Sequence, residues 1–105
     1  MHIDLILLTN EVVTNPLLKK FEFKQLPTNQ VLKDTNNLEN GISFDYIIVE
    51  NQDSLKNLDI LKDEDAIICN FFFQTNFENI FFIGKENKSK KSISDQISII
   101  LKYLS

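Results

Sequence analysis

Two short apolar runs, Ala66–Phe73 and Asn79–Ile83, joined by the polar turn Gln74-Thr75-Asn76-Phe77-Glu78, constrain this chain more than any other feature. Runs this short, rich in Ile and Phe and bounded by polar residues, predict strands covered on both faces, because a strand wet on one face would alternate. Phe71–Phe73 cannot all point one way, since successive strand side chains alternate sides. Apolar cover is therefore required above and below. The turn is expected at the surface, its side chains bonding their own backbone. Gly84 ends the second run where the chain turns sharply or approaches something closely.

The other elements follow from period and punctuation. His2–Thr9 reads as a first strand. Asn15-Pro16 opens a short helix with Leu17, Leu18 and Phe21 on one face, ending near Phe23. Phe23–Leu26 is an alternative extended piece, and Pro27 stops either one. The segment Thr28–Gly41 is weakly patterned, with a short strand expected at Gln30–Lys33 and turns at Asn36-Asn37 and Asn40-Gly41. Phe44–Glu50 is another strand, and Leu55, Leu58 and Leu61 suit a short helix or 3₁₀ turn. In Ser92–Leu104, Ile93, Ile97, Ile100, Leu101 and Leu104 share a helical face, and Ser92 stands three residues before Asp95 with capping-box spacing. Strands alternating with helical segments predict an α/β fold, one domain over residues 1–105. The expected architecture is a mostly parallel sheet of four to five strands with helices packed on it, Rossmann-like or flavodoxin-like.

Composition narrows the chemistry. A chain of 105 residues that is 43% hydrophobic can build a modest core. All of its 11 cationic residues are lysines. Without the bidentate arginine fork, nucleic-acid binding and phosphoryl transfer are disfavoured. One cysteine, Cys69, forms neither an internal disulfide nor a redox pair, and its setting predicts a small buried hydrophobe. One histidine, His2, supplies no triad and no multi-histidine metal site, and is expected to be exposed and unpartnered. Asp63-Glu64-Asp65 lacks the alternating ligands and central glycine of a calcium loop, so no metal is expected. The run Ile3–Leu8, broken by Asp4 and without a basic leader, predicts neither a signal peptide nor a membrane span, and a cytoplasmic protein.

From Phe44 onward the chain resembles the C-terminal part of thioredoxin-reductase-like flavoproteins of the pyridine nucleotide-disulfide oxidoreductase family. The resemblance is carried by FDYIIVE, ILKDEDAIICN, QTNFENIFFIGK and ISDQISIILKYLS, in that order, and most specifically by Gln74-Thr75, Ile80-Phe81 and Gly84. It implies FAD near Gly84 and Lys85. Lys85 stands where the family has a flavin-binding aspartate, and Ile93, Gln96 and Ile97 fall where it keeps glycine and alanines. The chain has two glycines, Gly41 and Gly84, and no G-x-G-x-x-G fingerprint. The resemblance thus implies a degenerate relative without the family's activity, or a subunit completing a split FAD/NAD(P)H flavoprotein. A second resemblance is to receiver domains, with Glu50 ending a strand, Lys85 following the last one, and Thr9-Asn10-Glu11 in place of the acidic pair; it implies at most a pseudo-receiver.

Two surface features remain. The lysine-rich stretch with Lys85, Lys88, Lys90, Lys91 and Ser92 leads into a helix start and suits an anion or nucleotide. Phe71, Phe72, Phe73 and Phe77 belong to a cluster that a small sheet cannot fully cover, which makes them candidates for a homodimer or partner interface. No pair of carboxylates is marked as acid and base. The expectation is a non-catalytic interaction or regulatory protein without a cofactor, engaging a protein partner or a second copy of itself.

Overall fold

The computed structural model describes residues 1–87 and 89–105. In chain order the elements are β1 (His2–Leu8), β2 (Phe23–Leu26), β3 (Leu32–Asp34), β4 (Asn37–Leu38), β5 (Ser43–Val49), β6 (Lys62–Asp63), β7 (Ala66–Ile67), β8 (Ile80–Phe82) and α1 (Ile93–Leu104). Short 3₁₀ turns occupy Pro16–Lys20, Gln52–Leu55 and Lys85–Asn87.

β1 lies inside the sheet, parallel to β2 on one side and to β5 on the other. β5 has two neighbours on its far side. Its last residues run parallel to β8, while its first, Ser43, pairs antiparallel with Asn37 of β4. β3 and β4 form an antiparallel hairpin that completes a six-stranded mixed sheet, and β6 and β7 form a separate ribbon. This corrects the expected helix-packed, mostly parallel sheet of four to five strands: α1 is the single α-helix among the described residues.

The correction has a local cause in each connection. Between β1 and β2 the chain forms only five residues of 3₁₀, opened by Pro16 and capped by Asn15, whose side chain accepts from Leu17 N–H. The weakly patterned segment folds into the β3–β4 hairpin because Asp34 Oδ1 accepts from Asn36 N–H at 2.9 Å and from Asn37 Nδ2 at 2.9 Å, closing a tight turn. The Leu55-Leu58-Leu61 spacing yields the 3₁₀ turn Gln52–Leu55, too short for a crossover helix.

The demand for apolar cover on both faces is met, by α1 and a 3₁₀ turn on one side and by the hairpin, a second 3₁₀ turn and the ribbon on the other. Leu5, Leu7, Ile48, Phe81 and Ile83 pack with Ile97, Ile100 and Leu101 of α1 and with Leu18 of the first 3₁₀ turn. On the opposite face Ile6, Leu8, Phe44, Ile47, Ile80 and Phe82 pack with Leu32 and Leu38 of the hairpin and with Leu55 and Ile67. α1 starts as its sequence dictates, with Ser92 Oγ accepting from Asp95 N–H at 3.1 Å.

The run Ala66–Phe73 does not form the predicted strand. Only Ala66–Ile67 is strand; Ile68 N–H still donates to Leu61 C=O at 3.0 Å, and the chain then turns at Asn70. Asn79–Ile83 fares better, with β8 at its centre. Gly84 has φ +106, the expected sharp turn, and a side chain there would meet Glu50 Cγ at 3.5 Å, an ordinary van der Waals distance, so the backbone angle and not a close approach calls for glycine.

Candidate functional site

Asn70 organises the segment that carries the clustered phenylalanines. Its Oδ1 accepts from Phe72 N–H at 2.9 Å and from Gln74 N–H at 3.0 Å, while its Nδ2 donates to Gln74 Oε1 at 2.8 Å. Backbone bonds from Asn70 N–H to Gln74 C=O and from Phe73 N–H to Asn70 C=O, both 3.0 Å, close the loop. Phe73 sits at its base with φ +62, a left-handed conformation unusual for a large side chain. The loop is tied to the sheet where Phe82 N–H donates to Phe73 C=O at 2.9 Å and Thr75 N–H donates to Ile80 C=O at 2.9 Å.

This geometry sends three consecutive phenylalanines to three places. Phe71 is 94% exposed. Phe72 is partly covered by Tyr103 of α1, the rings stacked with centroids 4.3 Å apart. Phe73 is buried beside α1. Tyr103 also meets Phe81 edge-on at 6.2 Å, so the exposed stack rests on a core ring. Phe77, the fourth interface candidate, is half-buried and packs against the opposite core. The surface platform is therefore Phe71, Phe72 and Tyr103.

Beside the platform runs an open groove of ≈ 780 Å³ whose lining includes Asp45, Tyr46, Gln74, Glu78 and Tyr103. Asp45 and Glu78 give it negative charge, and among the described residues no lysine lines it. Gln74 Nε2 donates to Glu78 C=O at 2.7 Å, joining groove wall and aromatic loop. His2, which meets Asp45 of that lining, is exposed but not unpartnered: Nδ1 lies 2.8 Å from Ser43 Oγ and Nε2 3.0 Å from Asp45 Oδ1.

The lysine-rich candidate is placed differently. Lys88 and the Lys85 side chain lie outside the described residues, and Lys90, Lys91 and Ser92 are exposed. Ser92 uses its hydroxyl on the first turn of α1. The base of the loop is held by Gln96, a buried amide that sequence reading did not single out as a clamp. Its Oε1 accepts from Gly84 N–H at 3.0 Å and Asn87 Nδ2 at 2.7 Å, and its Nε2 donates to Lys91 C=O at 2.9 Å. Glu50 is also engaged, accepting from Thr9 Oγ1 at 2.6 Å, and the same Thr9 oxygen accepts from Glu11 N–H at 3.1 Å.

Cys69 is half-buried between the ribbon and the aromatic loop, with Sγ 4.0 Å from Phe82 C=O. Burial, which disfavours the charged thiolate, pushes its thiol up to about 11. A thiol held in its neutral form is a poor nucleophile. Among the described residues no group of three His, Cys, Asp or Glu side chains is placed to hold a metal ion, and no helix is long and apolar enough to cross a membrane.

In comparison with known proteins, no family model, curated protein or solved structure matches this chain.

Proposed function

We propose that this chain is a non-catalytic, cytoplasmic interaction protein that engages a protein partner through Phe71, Phe72 and Tyr103. The observation that carries this reading is Phe71, a large apolar side chain 94% exposed on a loop fixed by side-chain and backbone hydrogen bonds. Holding such a side chain in water gains nothing for the fold, whereas a preordered aromatic anchor lowers the entropy cost of docking. The neighbouring carboxylates Asp45 and Glu78 favour a partner segment with an apolar plug flanked by basic residues.

A photo-crosslinking amino acid placed at position 71 in the living cell should give a discrete adduct. That adduct should be lost on Tyr103→Ala, which removes the ring supporting Phe72, and weakened by Asp45→Lys with Glu78→Lys. No adduct at position 71 would sink the reading. In this proposal the flavoprotein resemblance enters without its cofactor, a reading supported by the bonding of Gln96 to Gly84, which sets a buried amide where the resemblance implies small residues beside a flavin. The purified protein should be colourless, and a bound flavin would overturn that part.

A further inference from the structure

We propose that two copies of this chain pair antiparallel through the outer edge of β2, in the register that sets Phe23 of one copy opposite Phe23 of the other. β2 is the edge strand of the sheet, with β1 on its inner side. Leu5 N–H donates to Glu22 C=O at 3.1 Å, which fixes the phase of that ladder. Because alternate residues of a strand address opposite neighbours, Lys24 turns its backbone groups toward β1, and Phe23 and Gln25 turn theirs outward. Among the described residues none of those four outward groups bonds a loop or a side chain. The Gln25 side chain is folded back over the end of β1, donating to Thr9 C=O at 2.8 Å and to Glu11 C=O at 2.7 Å, instead of over its own outer backbone. Phe21 N–H is already bonded to Leu18 C=O, so the free edge is short. Beside it Phe23 is 44% exposed.

An uncovered edge is a template for a further strand. Side chains select which strand and which register. An antiparallel partner must use the outward residues, so the allowed alignments differ by two-residue steps. Aligning Phe21 with Phe23 of the second copy sets Glu22 directly against its own counterpart. Aligning Phe23 with Gln25 sets Lys24 against Lys24. Aligning Phe23 with Phe23 sets Glu22 opposite Lys24 twice, once on each side of the two-fold axis, and buries the exposed rings against each other. Directly opposed unlike charges and aromatic pairs stabilise a sheet, and like charges destabilise it. The sequence Phe21-Glu22-Phe23-Lys24-Gln25 is therefore self-complementary in one register and self-repelling in the two beside it. The product is a closed, isologous pair in which the two six-stranded sheets become continuous. This surface goes beyond the aromatic platform: β2 is at one edge of the sheet, whereas Gln74 bridges to Phe81 of β8 toward the other. Failure of either interface leaves the other standing.

Light scattering over a concentration series of the full chain tests the pairing. The expected result is a mass that rises to twice that of the monomer. Glu22→Lys alone and Lys24→Glu alone should each raise the dimer dissociation constant about tenfold or more, because each creates two like-charge pairs. Combining both reversals restores the unlike pairs and should return the constant to within about threefold of the original. Hydrogen exchange supplies an independent reading, with the Phe23 and Gln25 amides protected only at dimer-forming concentration. A monomer throughout, a dimer indifferent to the single reversals, or a double reversal that fails to recover would each overturn the proposal.

Discussion

Phe71-Phe72 and Phe81-Phe82 are the same dipeptide ten positions apart, and they meet opposite fates. Phe81 and Phe82 are fully buried on the two faces of β8, whereas Phe71 and Phe72 lie on the surface. The residue before each pair decides. Ile80 continues a strand that can pair with β5, and its own side chain enters the core. Asn70 offers an oxygen that captures two following backbone N–H groups and folds the chain into a turn. Hydrophobicity supplies the material of a core, but a single amide determines which phenylalanines reach it.

The widest separation between the two pairs should appear in stability. Phe82→Ala is expected to cost about 3–5 kcal/mol, because it opens a cavity in a filled core. Phe71→Ala should change stability by no more than about 0.5 kcal/mol. Urea denaturation followed by circular dichroism measures both, and similar losses would erase the distinction. Asn70→Ala probes its cause. Removing the shared acceptor should cost about 1–2 kcal/mol and release Phe72 from Tyr103, observable as changed aromatic NMR shifts in α1. Asn70→Asp retains the acceptor oxygen and should lose much less.

Cys69 marks the boundary, one residue before the turn and beside the Phe82 carbonyl. With its folded pKa raised to about 11, the fold favours the protonated thiol. Its contribution is thus fully present below the unfolded thiol's pKa and is lost as pH rises through the folded value. Alkylation of the native protein should be slow at neutral pH and quicken toward pH 11, while the urea-unfolded chain should react readily nearer the ordinary thiol range. A native thiol as reactive as the unfolded one would place Cys69 outside the core. Of the three effects this is the smallest.

Much of the fold was legible where local chemistry and tertiary demand agree. The strand at His2–Thr9, the Asn15-Pro16 start, the Phe44–Glu50 strand and the Ser92 cap each carry their own punctuation, and each stands within a residue or two of the expected place. The architecture was less legible, because helical spacing in Leu55-Leu58-Leu61 says nothing of whether a turn will continue, and here it stops after four residues. The antiparallel hairpin depends on Asp34 seizing two neighbouring groups, a bond that the weak hydrophobic pattern of that segment does not announce. At the surface site the phenylalanine cluster was visible. Its partition was not: Phe71 and Phe72 separate from Phe73 and Phe77 through Asn70 and through Tyr103, which approaches from the distant helix.

The central place of β1 also governs when the molecule can fold. His2 is held to Ser43 across 41 residues of chain, and Leu5, Ile6, Leu7 and Leu8 are all fully buried between β2 and β5. Closing a loop of that length must precede the contacts that reward it, which slows folding relative to a chain of local helices. On the ribosome the first strand emerges well before its principal neighbour. The β5 side of this short apolar segment therefore stays uncovered until Val49 has been made, even with β2 in place on its other side, which identifies the interval of synthesis when this protein most needs protection from aggregation.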